Sequence, residues 1–397
     1  MSAVVERART PSRVEDSPEK RRNVSAWRAE DVYVLIGSFL SALSINILLF
    51  AELTSATGLL GFLAATYATF LALYALVSWL EDAPGPLVRD RLVTVVVHSL
   101  ALVAMIALAS VIIYTVRRGS AALHHLNFFT QDMVQAGPLQ PLSVGGIEHA
   151  VIGTLWMISI ALAICIPLGL TCAVFLTEVP GRLSRFVRTL TEAMTALPSI
   201  VAGLFIYATL ILTLGFNKSG FAAALAISVM MLPIIIRSAD VVLRLVPGSL
   251  KEASYALGAG QWRTVRHVVL PTARSGLTTS VILGSARGIG ETSPVLLTAG
   301  FTAALATNPF RGPMVSLPLY TFETVQSPEH TMIERGFGAA AVLLLLVLIL
   351  FTVARIIGGR GPGHVTVRQE RRRAAASIRD LQRMNESGKA AKPIESE

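Results

Sequence analysis

The chain has 397 residues, 53% of them hydrophobic and only 15% charged, with a mean hydropathy of +0.62. A soluble domain carries about 25% charge, so this composition excludes an ordinary water-soluble enzyme and points to lipid. The net charge of +9 does not indicate a nucleic-acid binder, because the basic residues are spread over tails and loops.

Apolar runs of about 20 residues are long enough to cross a hydrocarbon core of about 30 Å. They occur at 32–52, 57–80, 92–116, 150–177, 187–215, 220–243, 276–300 and 336–357. The pattern predicts an all-α integral membrane protein with about eight transmembrane helices. Residues 1–31 form a polar, mixed-charge tail without a short apolar segment and cleavage site, so the first helix is expected to be retained. Helices one and two make a hairpin over 32–80, turning near Glu52–Ala56. The Pro-rich link EDAPGPLVRDR (81–91) separates this hairpin from a six-helix unit at 92–357. Residues 358–397 form a basic tail. Its RQERRRAAASIRDLQR stretch (368–383) can make a short helix attracted to anionic lipid or to a partner.

Within the six-helix unit, Pro167, Pro198, Pro233 and Pro294 are expected to kink helices whose freed carbonyls find other partners. Cys165 and Cys172 are about 10 Å apart along one helix, too far for a disulfide. The segments 117–147, with HHLNFFTQD, and 301–335, with TNPFRGPMVSLPLYTF, mix aromatic, Pro and polar residues and should hold short ordered elements. His98 reads as a hydrogen-bonded packing residue. No His, Cys and carboxylate set has the spacing of a metal site.

Charge placement predicts the orientation. With the N-terminus inside, 27 of the 34 Lys and Arg residues fall on the cytoplasmic side, five outside, and two, Arg237 and Arg287, within spans. That asymmetry predicts that both termini are cytoplasmic.

The longest cytoplasmic loop, VPGSLKEASYALGAGQWRTVRHVVLPTARSG (246–276), is polar yet helically patterned. Ala253, Ala256, Leu257 and Gly260 share a face, Gly258 permits a turn, and Pro271 starts the return into the membrane. The reading is a short amphipathic helix, a bend and a second helix. The spacing of Glu252, Ala253, Ser254, Gly258, Val268, Leu270 and Pro271 resembles the "EAA…G…I-LP" loop of ABC importer permeases, with Ser for the second Ala and Val for Ile. ALPSIVAGLF (196–205), MLPIIIRSAD (231–240), ARGIGETSP (286–294) and GPMVSLPLY (312–320) resemble the PstA type of phosphate permease, as does HAVIGTLWMISIALAICIPLGL (149–170). The resemblance covers 92–357 and leaves the first two helices outside the usual six-helix pattern.

The resemblance implies a type I importer permease in a bacterial cytoplasmic membrane. Residues 250–262 would be a coupling helix docking on a separate ATPase, with Glu252, Ala253, Gly258, Leu270 and Pro271 as its signature. It also implies a homologous permease of the PstC type, two copies of the ATPase, an extracytoplasmic phosphate-binding protein and surrounding lipid. ATP and magnesium would bind the ATPases, with no cofactor on this chain. The chain has no GxxxxGK[ST] phosphate-cradling loop.

Charges within spans are the candidate pathway. Arg287, about 17 Å deep by helix rise, and Glu291 are expected on one helix face with Gly284 and Gly288, pointing into the bundle. The plain reading is a salt bridge that permits insertion. The resemblance favours Arg287 as a fork of donors for an oxyanion, with Glu291 holding it between events or serving as a gate. Arg237 and Asp240 repeat this pattern about 9 Å from the cytoplasmic end, where snorkelling is the alternative. Importers of molybdate or sulfate remain open, as does an ion-coupled carrier using the Arg287–Glu291 pair.

Overall fold

The computed structural model describes residues 29–53, 58–80, 85–359, 372, 374–380 and 383, and every regular element among them is helical. Residues 54–57, where the hairpin turn near Glu52–Ala56 was expected, and most of both tails lie outside the described residues. Of the expected tail helix, 374–380 are helical. The chain divides into two units at Ala109/Ser110.

The first unit is built on α1 (Ala29–Leu48), continued by a π-helical turn at Leu49–Leu53, and α2 (Leu59–Leu80). Ala42, Phe70 and Tyr74 form its core, with Leu92 and Val95 packed against them. These last two belong to α3 (Gly85–Leu123), which starts inside the expected 81–91 link. Pro86 does not oppose this, because the first turn of a helix has no use for its N–H. Tyr67 and Ser99 share a hydroxyl hydrogen bond of 2.6 Å. His98 is exposed and bonds the Thr94 carbonyl one turn back.

In the second unit, a short helix α4 (Asn127–Thr130) precedes α5 (Glu148–Glu178). The helix expected at 187–215 is instead two, α6 (Arg182–Thr195) and α7 (Ser199–Ile206), the latter extended by a π-helical segment to Thr213, bent by 107°. Pro198 is the cause. Its φ of −60° and ψ of 138° make it the extended N-cap of α7, and the residue before a proline is driven out of the helical region. Next come α8 (Gly220–Arg244), α9 (Gly248–Ala256) and α10 (Gln261–Thr264). A π-helical turn at Val265–Val269 leads into α11 (Leu270–Ile289). After a break come α12 (Ser293–Thr298), α13 (Leu317–Val325) and α14 (His330–Gly358).

Six described helices are long and apolar enough to cross a membrane, and the bent pair makes seven. The helix expected at 276–300 is present as α11 but carries Arg274, Arg287, three Ser and three Thr, and stops at Ile289. Pro167 and Pro233 sit inside α5 and α8, whereas Pro198 and Pro294 begin new helices.

Helix α8 is the most enclosed of the spans, packed on α5 and α11. Met231 and Ile235 on α8 meet Ala161 and Cys165 of α5 in the main core. Cys165 is buried and Cys172 half-buried, and both are free thiols. The two segments read as external do hold ordered elements. They are tied together by Met133 N–H donating to the Ala303 carbonyl at 3.0 Å and Leu305 N–H to Asp132 at 3.2 Å.

Candidate functional site

The α8–α11 seam is set by small residues. A side chain at Gly276, Gly284 or Gly288 would overlap Val242, Ile235 or Met231 of α8, so the two backbones approach closely. This is the packing expected of a small-residue stripe. Arg287 does not share the stripe. At 100° per residue it lies 60° from Gly284 and 100° from Gly288, which turns it out of the seam, and its side chain is 55% exposed. The expectation that both charges point into the bundle therefore fails for Arg287.

Arg237 is also exposed and enters no ion pair among the described residues. It lines an open groove of about 450 Å³ with Val241 of α8 and Gly276, Thr279 and Leu283 of α11. Arg287 follows Leu283 by one turn, about 6 Å further along α11. Both guanidiniums are thus exposed, Arg237 on α8 and Arg287 on α11.

Glu291 is not on α11 at all. Gly290 caps that helix, and Pro294 opens α12 three residues after Glu291. The pair closes across the break, with Arg287 Nη2 at 3.0 Å from Glu291 Oε1. The approach meets the distance of an ion pair but not the direction of a hydrogen bond, so charge holds it. Glu291 is buried, at 7% exposure, beside a small, partly open space of about 10 Å³ lined by Thr154, Met157, Ile227 and Ser316. Thr154 Oγ1 accepts from Leu317 N–H at 2.8 Å and donates to the Ala150 carbonyl. Thus α5, the α11–α12 break and the start of α13 meet around one carboxylate.

Asp240 does not pair with Arg237. On α8 the three-residue step carries Asp240 to the buried side, while Arg237 stays outside. Its carboxylate accepts from Arg188 Nη1 at 2.6 Å and Nη2 at 3.2 Å, from Arg244 Nε at 3.2 Å and from Thr177 Oγ1 at 3.2 Å. This cluster ties α5, α6 and α8 together at the basic end of the bundle. Arg188, 52 residues away in sequence, was not singled out by the sequence, since nothing local marks it as a partner.

The 246–276 loop has the expected helix, turn and second helix. Gly258 has φ +80°, a region that costs other residues about 1–2 kcal/mol. Glu252 and Ala253 lie on α9, which buries none of its residues. Leu257 and Trp262 are 89% and 69% exposed, an apolar tip that the described residues leave uncovered. Leu270 packs partly against Val269, Ala273 and Leu277. Pro271, expected to start the return helix, is in the first turn of α11. Its ring and missing N–H disfavour regular α-helix in the preceding turn, and the π-helical turn at Val265–Val269 absorbs that irregularity. The helical path from Gln261 therefore runs to Ile289.

Further polar anchors were not visible in the sequence. Glu178, at the end of α5, pairs with Lys251 of α9. Arg335, which had been counted only as an external charge, is fully buried on α14. Its Nη2 donates to the carbonyls of Gln140, Pro141 and Val144 at 3.3, 2.8 and 2.8 Å.

Residues 165–360 match the family described as "Binding-protein-dependent transport system inner membrane component". The chain is 37% identical over 271 residues to "Phosphate transport system permease protein PstA 1" of Mycobacterium tuberculosis (strain CDC 1551 / Oshkosh), covering 68% of this chain and 88% of that protein. It is 36% identical over 261 residues to PstA of Mycobacterium leprae (strain TN), covering 66% and 85%. PstA of Pasteurella multocida (strain Pm70) is 35% identical over 54% of this chain and 77% of its own. A chain from inward-facing structures of the MetNI methionine ABC transporter aligns over 54% of this chain and 91% of its own, at 20% identity and a TM-score of 0.39. The chain belongs to the PstA family of membrane permeases.

Proposed function

We propose that the chain carries inorganic phosphate across a bacterial cytoplasmic membrane as one permease subunit of an ATP-driven importer. ATP hydrolysis takes place on two partner ATPase subunits, and a homologous permease of the PstC type completes the membrane pathway. An extracytoplasmic binding protein delivers phosphate to the 117–147 and 301–335 face. The chain itself catalyses no bond cleavage and holds no cofactor. Both termini are cytoplasmic, 92–357 is the permease core, and the 32–80 hairpin is an addition to it.

The observation that carries this reading is the continuous helical path from Gln261 to Ile289. At one end stand Leu257 and Trp262 of the loop, both largely exposed. At the other end stands Arg287, one turn beyond the Leu283 that lines the groove with Arg237. A rotation or shift of the docking loop on an ATPase is thereby delivered along one helix to the guanidinium that meets the anion. Arg237 and Arg287 supply planar donor forks suited to phosphate oxygens. Asp240, in contrast, serves to hold the basic end together.

The test is uptake of radiolabelled phosphate into vesicles holding the complex purified with its native ATPases. Uptake should require ATP, resist competition by sulfate and molybdate, and vanish on Arg287→Ala while the complex still assembles. Full uptake by Arg287→Ala would remove that residue from the pathway. ATP-independent uptake would remove the importer.

A further inference from the structure

We infer that Glu178 positions the docking loop, making α5 a second route, beside α11, by which loop movement reaches the membrane. The inference rests on the importer reading above. Helix α9 buries no residue, so apolar packing does not fix its place against the bundle. Polar tethers do. Lys251 of α9 pairs with the Glu178 carboxylate, and these side chains are 21% and 9% exposed. Gln261 of α10 donates its Nε2–H to the Glu178 carbonyl at 2.9 Å, one of the carbonyls that a helix C-terminus leaves free. Ser254 of α9 and Thr264 of α10 share a hydroxyl hydrogen bond of 2.8 Å, which joins the two helices of the loop. Glu178 thus holds both of them, one through its side chain and one through its backbone.

The same turn of α5 is gripped from its other side. Thr177 donates to Asp240, and Arg188, which clamps Asp240, also reaches the Leu176 carbonyl at 3.4 Å. The last turn of α5 therefore lies between the loop helices and the α6–α8 cluster. At its far end, α5 presents Gly153 and Thr154 to the Val315–Leu317 strap beside Glu291. A movement entering at Glu178 has a packed helix along which to reach the same chamber that α11 reaches.

The test compares Glu178→Lys, Lys251→Glu, the exchanged pair and Glu178→Gln in the complete complex. Phosphate uptake and ATP hydrolysis are measured in vesicles and normalised to assembled complex. Each single charge reversal should cut phosphate moved per ATP hydrolysed by about tenfold, and the exchanged pair should recover most of it, as the coupling term of a double-mutant cycle. A purely structural role would lower the amount of complex and leave the ratio unmoved. Should a reversal prevent assembly, Glu178→Gln decides, since it keeps the shape and removes the charge. An unchanged ratio in that variant overturns the inference, as does an exchanged pair no better than its parents. Absence of ATP-dependent uptake by the unmodified complex would instead overturn the importer reading, and the inference with it.

Discussion

Replacing Asp240 with Asn separates a structural carboxylate from a pathway one. The carboxylate is 7% exposed and accepts two bonds from Arg188, one from Arg244 and one from Thr177. Asn keeps the shape but presents one acceptor, and its amide hydrogens face guanidinium donors. The shortest contact, Arg188 Nη1 at 2.6 Å, is lost outright. A hydrogen bond to a charged group contributes about 1.5–3 kcal/mol. Arg244 is 55% exposed, so its share is screened and adds little. The expected loss is about 2–3 kcal/mol, or about 30- to 150-fold in the folded-to-unfolded ratio. Thermal unfolding of the purified complex in detergent reads the loss as a lower midpoint. Vesicle uptake, normalised to folded complex, should stay near that of the unmodified protein. Uptake abolished with an unshifted midpoint would refute the reasoning and return Asp240 to the transport path. Asp240→Leu combined with Arg188→Met should be milder than Asp240→Leu alone, because it does not leave the half-buried Arg188 without its carboxylate.

Gly284→Val forces a side chain into Ile235 and should cost about 1–3 kcal/mol by overpacking, seen as reduced abundance in membranes. Gly290→Ala, whose nearest neighbour is Ala286 O at 4.0 Å, should be near neutral in the same assay. Gly258→Val places a β-branched residue at φ +80° and should reduce co-purification of the ATPases without reducing the permease itself. Arg335→Met leaves three carbonyls without their donor, so limited proteolysis should cut faster within 138–145. Glu291→Gln should strengthen phosphate binding in equilibrium measurements while slowing turnover, and weaker binding would count against release of Arg287 from Glu291 as a step.

Features carried by local chemistry were legible in the sequence. Apolar runs located six of the eight expected spans, a glycine marked the turn of the 246–276 loop, and the small-residue stripe of α11 marked its seam with α8. Features set by long-range pairing were not. Pro198 was read as a kink within one helix and not as a 107° break between two, because the apolar α7 carried the run across the polar, amphipathic α6. Arg188 looks like any positive-inside residue, and only the fold brings it to Asp240. Glu178 and Lys251 are 73 residues apart and individually resemble ordinary loop-edge charges. Arg335 was read as an external loop charge, yet it lies within α14, and its burial depends on three carbonyls from a loop more than 190 residues earlier.

The Arg287–Glu291 pair is asymmetric in a way that constrains any transport step. Arg287 is 55% exposed and Glu291 is 7% exposed. A half-exposed guanidinium has room to turn to another partner, whereas a buried carboxylate that loses its counter-ion bears a large desolvation cost. Among the described residues Arg287 is the only ion-pair partner of Glu291. An anion that draws Arg287 away therefore strands Glu291 unless the chamber around it changes. Thr154 and Ser316, from α5 and the start of α13, line that chamber, and the α11–α12 break supplies a hinge that a continuous helix would lack. Anion engagement and rearrangement around Glu291 are thus linked by one electrostatic cost. On the proposed transport reading, the pair is an exchange between two negative partners for one guanidinium rather than a fixed site with a separate gate.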